Sequence, residues 1–310
     1  MYVRAHETKR GTQTDISTNG DIMRTSIWRV SGLFLSVLVL EIGIDPQLGA
    51  AQEEGLPAHL TDRGSGLPTS MFGTYIREHE LLVYPFFEWY ADSDLEYKPS
   101  EFGYGLNMDY RGRYRASEGL LFVGYGITRN LAIELEAAVI TATLEKSPSD
   151  PSAMPAKVKE SGLGDVEMNL RWRWLEETED HLEGFAYYET VFPLQKNRNL
   201  IGTPDWEFKL GTGITRGYDW GTMTLRLAVD YTRAERKFEP GEYGIEYLRR
   251  LSQTWRVVAL IEGSQVDEVE LITEVQWHFL PRAFLKINNG WGLTTNAIDF
   301  APEIGVMMSF

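Results

Sequence analysis

The last ten residues constrain this chain more than any other stretch. Pro302, Ile304, Val306, Met308 and the terminal Phe310 occupy alternate positions, opposite Ala301, Glu303, Gly305, Met307 and Ser309. A period of two places each row on its own face of a strand, one against an apolar medium and one against a wetter one. The same two-faced pattern recurs upstream. No run after residue 51 approaches the roughly 20 apolar residues of a spanning helix. Membrane insertion must then be by strands, and only a closed barrel satisfies every backbone group in lipid. The expected fold is all-β: an antiparallel up-and-down transmembrane barrel in a bacterial outer membrane.

Twelve candidate strands lie at 79–91, 117–127, 131–143, 163–175, 183–193, 205–217, 220–233, 242–251, 254–264, 267–280, 283–293 and 300–310. Strands of this length, tilted near 45°, project to about the 25 Å height of an outer-membrane apolar band. Counting back from Phe310, the links at 294–299, 265–266, 234–241, 194–204 and 144–162 fall at one end. Those at 281–282, 252–253, 218–219, 176–182 and 128–130 fall at the other. Long loops outside and short turns in the periplasm are the rule for such barrels. Both termini then sit in the periplasm, the strand number is even, and 92–116 is one large outer loop. Reading 104–115 as a further strand gives thirteen and breaks this parity, so fourteen is the alternative to twelve.

The N-terminal region reads differently. Residues 1–22 are a polar extension. Residues 23–51 have the order of an export signal: basic Met23–Arg29, an apolar run from Val30 to Leu40, and small Gly49, Ala50 and Ala51 before Gln52. A buried N-terminal helix is the alternative. The chain has 45 acidic and 30 basic residues and no cysteine. Residues 1–51 hold five of each sign, so their removal leaves the net charge at −15. That balance argues against nucleic acid as a partner. Residues 52–78, rich in Gly and Pro and without alternation, are either a periplasmic tail or a plug, and composition favours the tail. The barrel occupies 79–310.

Facing is legible in several strands. Val166, Met168, Leu170, Trp172 and Trp174 alternate with Asp165, Glu167, Asn169, Arg171 and Arg173. Met223, Leu225, Leu227, Val229 and Tyr231 oppose Arg226 and Asp230. Lipid must meet the apolar rows, because a charge at the midplane costs several kcal/mol. The lumen then receives Glu134, Glu136, Glu167, Arg171, Arg173, Glu207, Lys209, Arg226, Asp230, Glu246, Arg256, Glu262, Glu268, Glu270, Glu274 and Lys286, ten acidic and six basic. Such groups either stay hydrated and set solute preference or pair in a dry interior. The acidic excess favours cations and neutral polar solutes. The prolines of 144–162 (Pro148, Pro151 and Pro155) limit strand pairing there. Arg111, Arg113 and Arg115 offer a grip on lipopolysaccharide phosphate or a solvated basic rim.

No enzyme is expected. Of five histidines only His278 lies well inside a strand, and it lacks a serine two positions on. It reads as a hydrogen-bonding or interfacial residue. No cysteine and no histidine pair offers ligand spacing for a metal. The glycines of Gly162-Leu163-Gly164-Asp165 open no helix, which disfavours a phosphate loop. Catalytic, cofactor and metal residues are therefore expected to be absent.

Two stretches carry a family resemblance: Tyr125-Gly126-Ile127-Thr128-Arg129-Asn130-Leu131, and Gly162-Leu163-Gly164-Asp165-Val166 opening the next strand. Together they resemble the outer-membrane transporter-like barrels associated with the meta-pathway of phenol degradation, as a divergent branch. The resemblance implies a barrel that admits hydrophobic or aromatic compounds, and it brings no catalytic residue. The expected function is a channel for passive passage of small solutes. A plugged barrel with a structural or surface-binding role is the second reading, and an exported soluble β-protein or enzyme the third. Expected partners are outer-membrane lipid and lipopolysaccharide, a small-molecule solute, and the barrel-assembly machinery through the strand ending in Phe310.

Overall fold

A computed structural model describes residues 56–234, 236–264 and 268–310. The expected extension, export signal and cleavage point, and the link at 265–266, lie outside these described residues. After a 3-10 turn at Ala58–Leu60 come two short strands, β1 (Leu67–Pro68) and β2 (Tyr75–Ile76), which pair as a hairpin. Twelve longer strands follow. They are β3 (Leu81–Tyr97), β4 (Tyr110–Thr128), β5 (Leu131–Glu145), β6 (Lys157–Leu175), β7 (Glu183–Phe192) and β8 (Glu207–Tyr218). The second half comprises β9 (Gly221–Thr232), β10 (Lys237–Arg250), β11 (Trp255–Gly263), β12 (Val269–Leu280), β13 (Ala283–Gly292) and β14 (Phe300–Ser309).

Each strand pairs antiparallel with its sequence neighbour, and β14 closes on β3 through Met308↔Val83, Ile304↔Phe87 and Phe300↔Ala91. The result is a closed twelve-stranded barrel. The backbones of Leu81 and Phe310 exchange hydrogen bonds of 3.2 and 2.9 Å, so both ends of the barrel chain meet at one rim, the near end. Turns there are short, and the longer loops lie at the far end. The large loop expected over 92–116 shrinks to 98–109, and residues 104–115 make no separate strand. The rest of that segment extends β3 and β4.

Of the strands that run further than their alternation suggests, three do so across a bulge. One extra residue separates Asp92 from Leu95 in β3, Leu163 from Val166 in β6, and Pro240 from Tyr243 in β10, relative to the paired strand. A bulge flips side-chain parity. Tyr84, Phe86 and Asp92 point inward before the bulge in β3, whereas Leu95 and Tyr97 do so after it.

The outside is apolar across its middle. Leu135, Val139, Leu170, Leu210, Leu227, Val229, Ile245, Ile261, Val275, Ile287 and Ile304 are all exposed. Aromatics cluster toward both rims. Tyr218, Trp220 and Tyr247 stack in series near one end, with centroids 4.9 and 6.0 Å apart, beside a Trp255–Trp277 stack at 6.1 Å. Trp89, Phe300 and Trp291 cluster near the other end. An apolar belt between two aromatic girdles is the exterior of a membrane-spanning barrel. Leu227, 64% exposed at the centre of β9, tests it. In water Leu227→Arg would change stability little; facing the lipid midplane it should cost about 2–4 kcal/mol, read from denaturant unfolding in vesicles.

Candidate functional site

The lumen is the candidate site, and its most consequential occupant is the N-terminal segment. Residues expected from composition to form a tail enter the barrel as a hairpin. The turn at Ala58–Leu60 and the two residues that follow lie against near-end strand termini, where Asp62 accepts from the Arg250 amide at 2.8 Å. Arg63 then forms buried ion pairs with Glu177 at 2.6 Å and Glu183 at 3.1 Å. Burial disfavours its charge, but Glu183, Tyr75 and Glu177 outweigh that and hold its pKa above the ordinary arginine value. Its guanidinium also lies 5.4 Å from the Tyr75 ring centroid, which links the two legs of the hairpin. Arg173 donates to the Ser65 and Gly66 carbonyls, each at 3.3 Å, and pairs with Glu183 at 3.1 Å.

The hairpin tip reaches the inner wall. The Ser70 amide donates to the Glu134 carboxylate at 3.2 Å, and Glu134 pairs with Arg171 at 3.1 Å. Gln276 donates to the Gly73 carbonyl at 3.0 Å. Gly73 has φ +66°, and a Cβ there would lie 2.6 Å from Val258 Cγ2, so the close approach requires glycine twice over. Phe72 packs under the Lys286 ammonium, 4.1 Å from the ring centroid. Lys286 pairs with Glu274 at 3.1 Å and Glu303 at 3.8 Å, and Tyr84 donates to Glu303. Lys286, Gln276 and Tyr84 are all fully buried, so protein fills this part of the lumen at the tip.

Two cavities flank the tip. The near-end cavity, about 340 Å3, is bordered by Arg63, Tyr75, Arg256, His278 and Phe284. There His278 stacks on Phe284 and sits 3.2 Å from the Gln276 side-chain oxygen, a packed hydrogen-bonding position. The far-end cavity, about 320 Å3, runs from Ser70, Met71 and Phe72 to Thr203, Glu268 and Asn296 in the far-end loops. Of the charged residues assigned to the lumen from sequence, all but Arg173, Glu246, Arg256, Glu274 and Lys286 border this cavity. Arg256 borders the near-end cavity, Arg173 holds the hairpin, and Glu274 and Lys286 surround the tip. Glu246 is buried on β10. Glu268 lies just outside β12 rather than in a strand.

Several lumen groups were not singled out from sequence. Glu88 and Glu303 border the far-end cavity at the inward parity of their strands, a signal that was available. Glu242 owes its inward position to the β10 bulge, which alternation does not reveal. It pairs with Lys209, which also contacts Glu189 at 3.0 Å, and Arg226 pairs with Glu262 at 2.6 Å. Among the described residues, the far-end cavity is bordered by twelve carboxylates and only three cations, Arg171, Lys209 and Arg226. Apolar residues share this lining: Phe86, Leu95, Tyr114 and Phe122 belong to a buried cluster on β3–β5 that includes Ile140, Ala142 and Leu144. The lumen lining therefore mixes charge with aromatic surface, and Glu136 of β5 sits directly across from Phe122 of β4.

The far mouth is narrowed by the β7–β8 loop. Asp165, at the β6 bulge, accepts from the Leu194, Gln195 and Thr203 amides at 2.7, 3.1 and 2.6 Å, and from the Thr203 hydroxyl at 2.8 Å. A Cβ on Gly164 would meet Ile140 Cδ1 at 2.7 Å. The Gly-Asp pair thus gives close packing and a loop anchor, which holds Ile201 fully buried.

No protein-family model matches the chain, and no curated protein matches it. Solved structures do. The translocator domain of the autotransporter NalP from Neisseria meningitidis is 10% identical, with 76% of this chain and 90% of that one covered and a TM-score of 0.47. The CymD monoaromatic hydrocarbon channel is 10% identical, with 84% and 96% covered and a TM-score of 0.40. An outer membrane channel from Pseudomonas putida F1 is 12% identical, with 76% of this chain and 97% of that chain covered and a TM-score of 0.53. With this last structure the chain shares the fold of an outer-membrane barrel.

Proposed function

We propose that the protein is a bacterial outer-membrane channel for passive passage of small solutes, preferring cations and neutral amphipathic molecules to anions. The observation that carries this reading is the far-end cavity, where carboxylates outnumber cations four to one among the described residues. Such a wall repels anions by the logic of charged rings in cation pores. Long loops at the far end support an orientation with the hairpin and both barrel termini in the periplasm. Exposed Arg113 and Lys157 near the far rim support contact with lipopolysaccharide phosphate. The strand ending in exposed Phe310 supports recognition by the barrel-assembly machinery. The aromatic part of the lining, Tyr90 and Tyr187 alongside Phe86 and Phe122, supports aromatic compounds among the solutes. This agrees with what the resemblance to the phenol meta-pathway barrels implies.

Planar-bilayer recording under a potassium chloride gradient tests the reading. The expected reversal potential has the sign of cation preference, and Glu136→Gln with Glu167→Gln should move it toward zero. An anion-selective pore would sink the proposal. The filled lumen around the hairpin tip favours a second reading, a plugged barrel with a structural or surface-binding role. A folded barrel that stays electrically silent even without its hairpin would support that instead.

A further inference from the structure

We propose that Asp92, Asp94 and Asp299 form a calcium-type cation site at the far rim, clipping the first barrel strand to the loop that enters the last. Oxygens of the three carboxylates lie within 4.8 Å of one another. That spread suits oxygens around one ion at 2.3–2.6 Å from each, the distance calcium takes. The residues meet for structural reasons. Asp92 borders the β3 bulge and Asp94 lies in it, and Asp299 immediately precedes β14, whose Phe300 pairs with Ala91. The Ser93 amide and hydroxyl donate to Asp299 at 2.9 and 2.7 Å, which fixes the loop beside the bulge.

An acidic group alone would be ordinary on a surface. What separates this one is Asp92. Asp92 as a residue is 3% exposed, and one of its carboxylate oxygens accepts from the Asp94 amide at 2.8 Å. The other, Oδ2, is buried without a hydrogen-bond partner. A buried carboxylate oxygen lacking a donor is costly, and a bound cation removes that cost. The nearby cation is Arg111, and it does not meet this need. It reaches Asp94 Oδ2 at 3.5 Å while also serving Glu96 at 3.2 Å, the Thr295 carbonyl at 3.1 Å and Asn296 at 2.7 Å. Three carboxylates with only this partial compensation leave net negative charge around the orphaned oxygen. All the donors are hard oxygens, which select calcium or magnesium over softer metals. A loop-borne ligand beside a bulge suits calcium's flexible shell better than magnesium's strict octahedron.

The site also has a structural consequence. β3 and β14 form the closing seam of the barrel, and Phe300↔Ala91 is the pair of that seam beside the three carboxylates. A cation here would bind the folded seam and not the unfolded chain, and so stabilise the closed barrel.

The test uses the full-length folded protein in detergent, stripped with chelator and titrated with calcium chloride by calorimetry. Terbium luminescence sensitised by Trp89, which packs on Phe300 beside the site, gives a second readout. Saturable binding in about the 10⁻⁴–10⁻³ M range is expected. Asp92→Asn, and separately the exposed Asp299→Asn, should each weaken it by about tenfold or more. Magnesium should bind more weakly than calcium. No saturation, or equal affinity in the wild type and both variants, overturns the site. Loss of binding in Glu136→Gln but not in Asp92→Asn places the ion in the lumen and overturns it too. Equal affinity for magnesium overturns the calcium assignment.

Discussion

A chain beginning at Arg77, refolded into vesicles, is expected to conduct about an order of magnitude better than the full chain, because a filled section of lumen becomes water. The hairpin tip touches the inner wall at three points. Phe72 sits against Lys286, Ser70 against Glu134 and Gly73 against Gln276, with a cavity on either side of these contacts. Truncation should not unfold the barrel. Losing Arg63 leaves Glu183 paired with Arg173 at 3.1 Å, and Glu177 still accepts from the Gly217 amide at 2.8 Å. Pairing around the ring, including the β14–β3 seam, involves no residue before Leu81. Gly73→Leu gives a milder version in the intact chain. The new side chain would collide with Val258 and Gln276 and push the tip off the wall, so conductance should rise part of the way. Single-channel recording decides the matter. Equal conductance of folded full-length and truncated barrels would mean that ions bypass the hairpin and that it is no obstruction.

Strand number, order and facing were legible because lipid imposes them. Leu170, Trp172 and Trp174 could point only outward once Arg171 and Arg173 alternated with them. Legibility failed at the bulges of β3, β6 and β10. The outer parts of β3, β6 and β10 lie beyond Asp92, Gly164–Asp165 and Gly241–Glu242, where parity flips and a period-two pattern breaks off. The hairpin was illegible for another reason. β1 and β2 are two residues each, too short for a pattern, and the segment is held by the barrel's side chains more than by its own. Composition rich in Gly and Pro is what a tail shows, and also what a tight turn such as Gly73 needs. Ionic residues alone do not reveal the aromatic part of the lining, although Phe86, Phe122 and Ile140 share their inward parity.

The second large effect is expected at Lys286. Its ammonium lies between Glu274 and Glu303, over Phe72 and Tyr84, and is wholly shielded from solvent. Removing one member of a buried charge group strands its partners, so Lys286→Met should cost about 3–5 kcal/mol. A surface pair gives the control. Lys157 and Glu145 are 58% and 42% exposed at 3.6 Å, and Lys157→Met should cost less than about 1 kcal/mol. The cause can be separated from lost packing by a double-mutant cycle. If stranded charge dominates, Glu274→Gln should restore part of the stability lost in Lys286→Met, with a coupling of about 1–3 kcal/mol. If lost contact with Phe72 dominates, the two substitutions should simply add. Denaturant unfolding in vesicles gives each free energy. A loss below about 1 kcal/mol for Lys286→Met would show that water reaches this layer. The hairpin tip would then rest in a hydrated lumen, and its hold on the wall would be far weaker than the contacts at Phe72 and Gly73 imply.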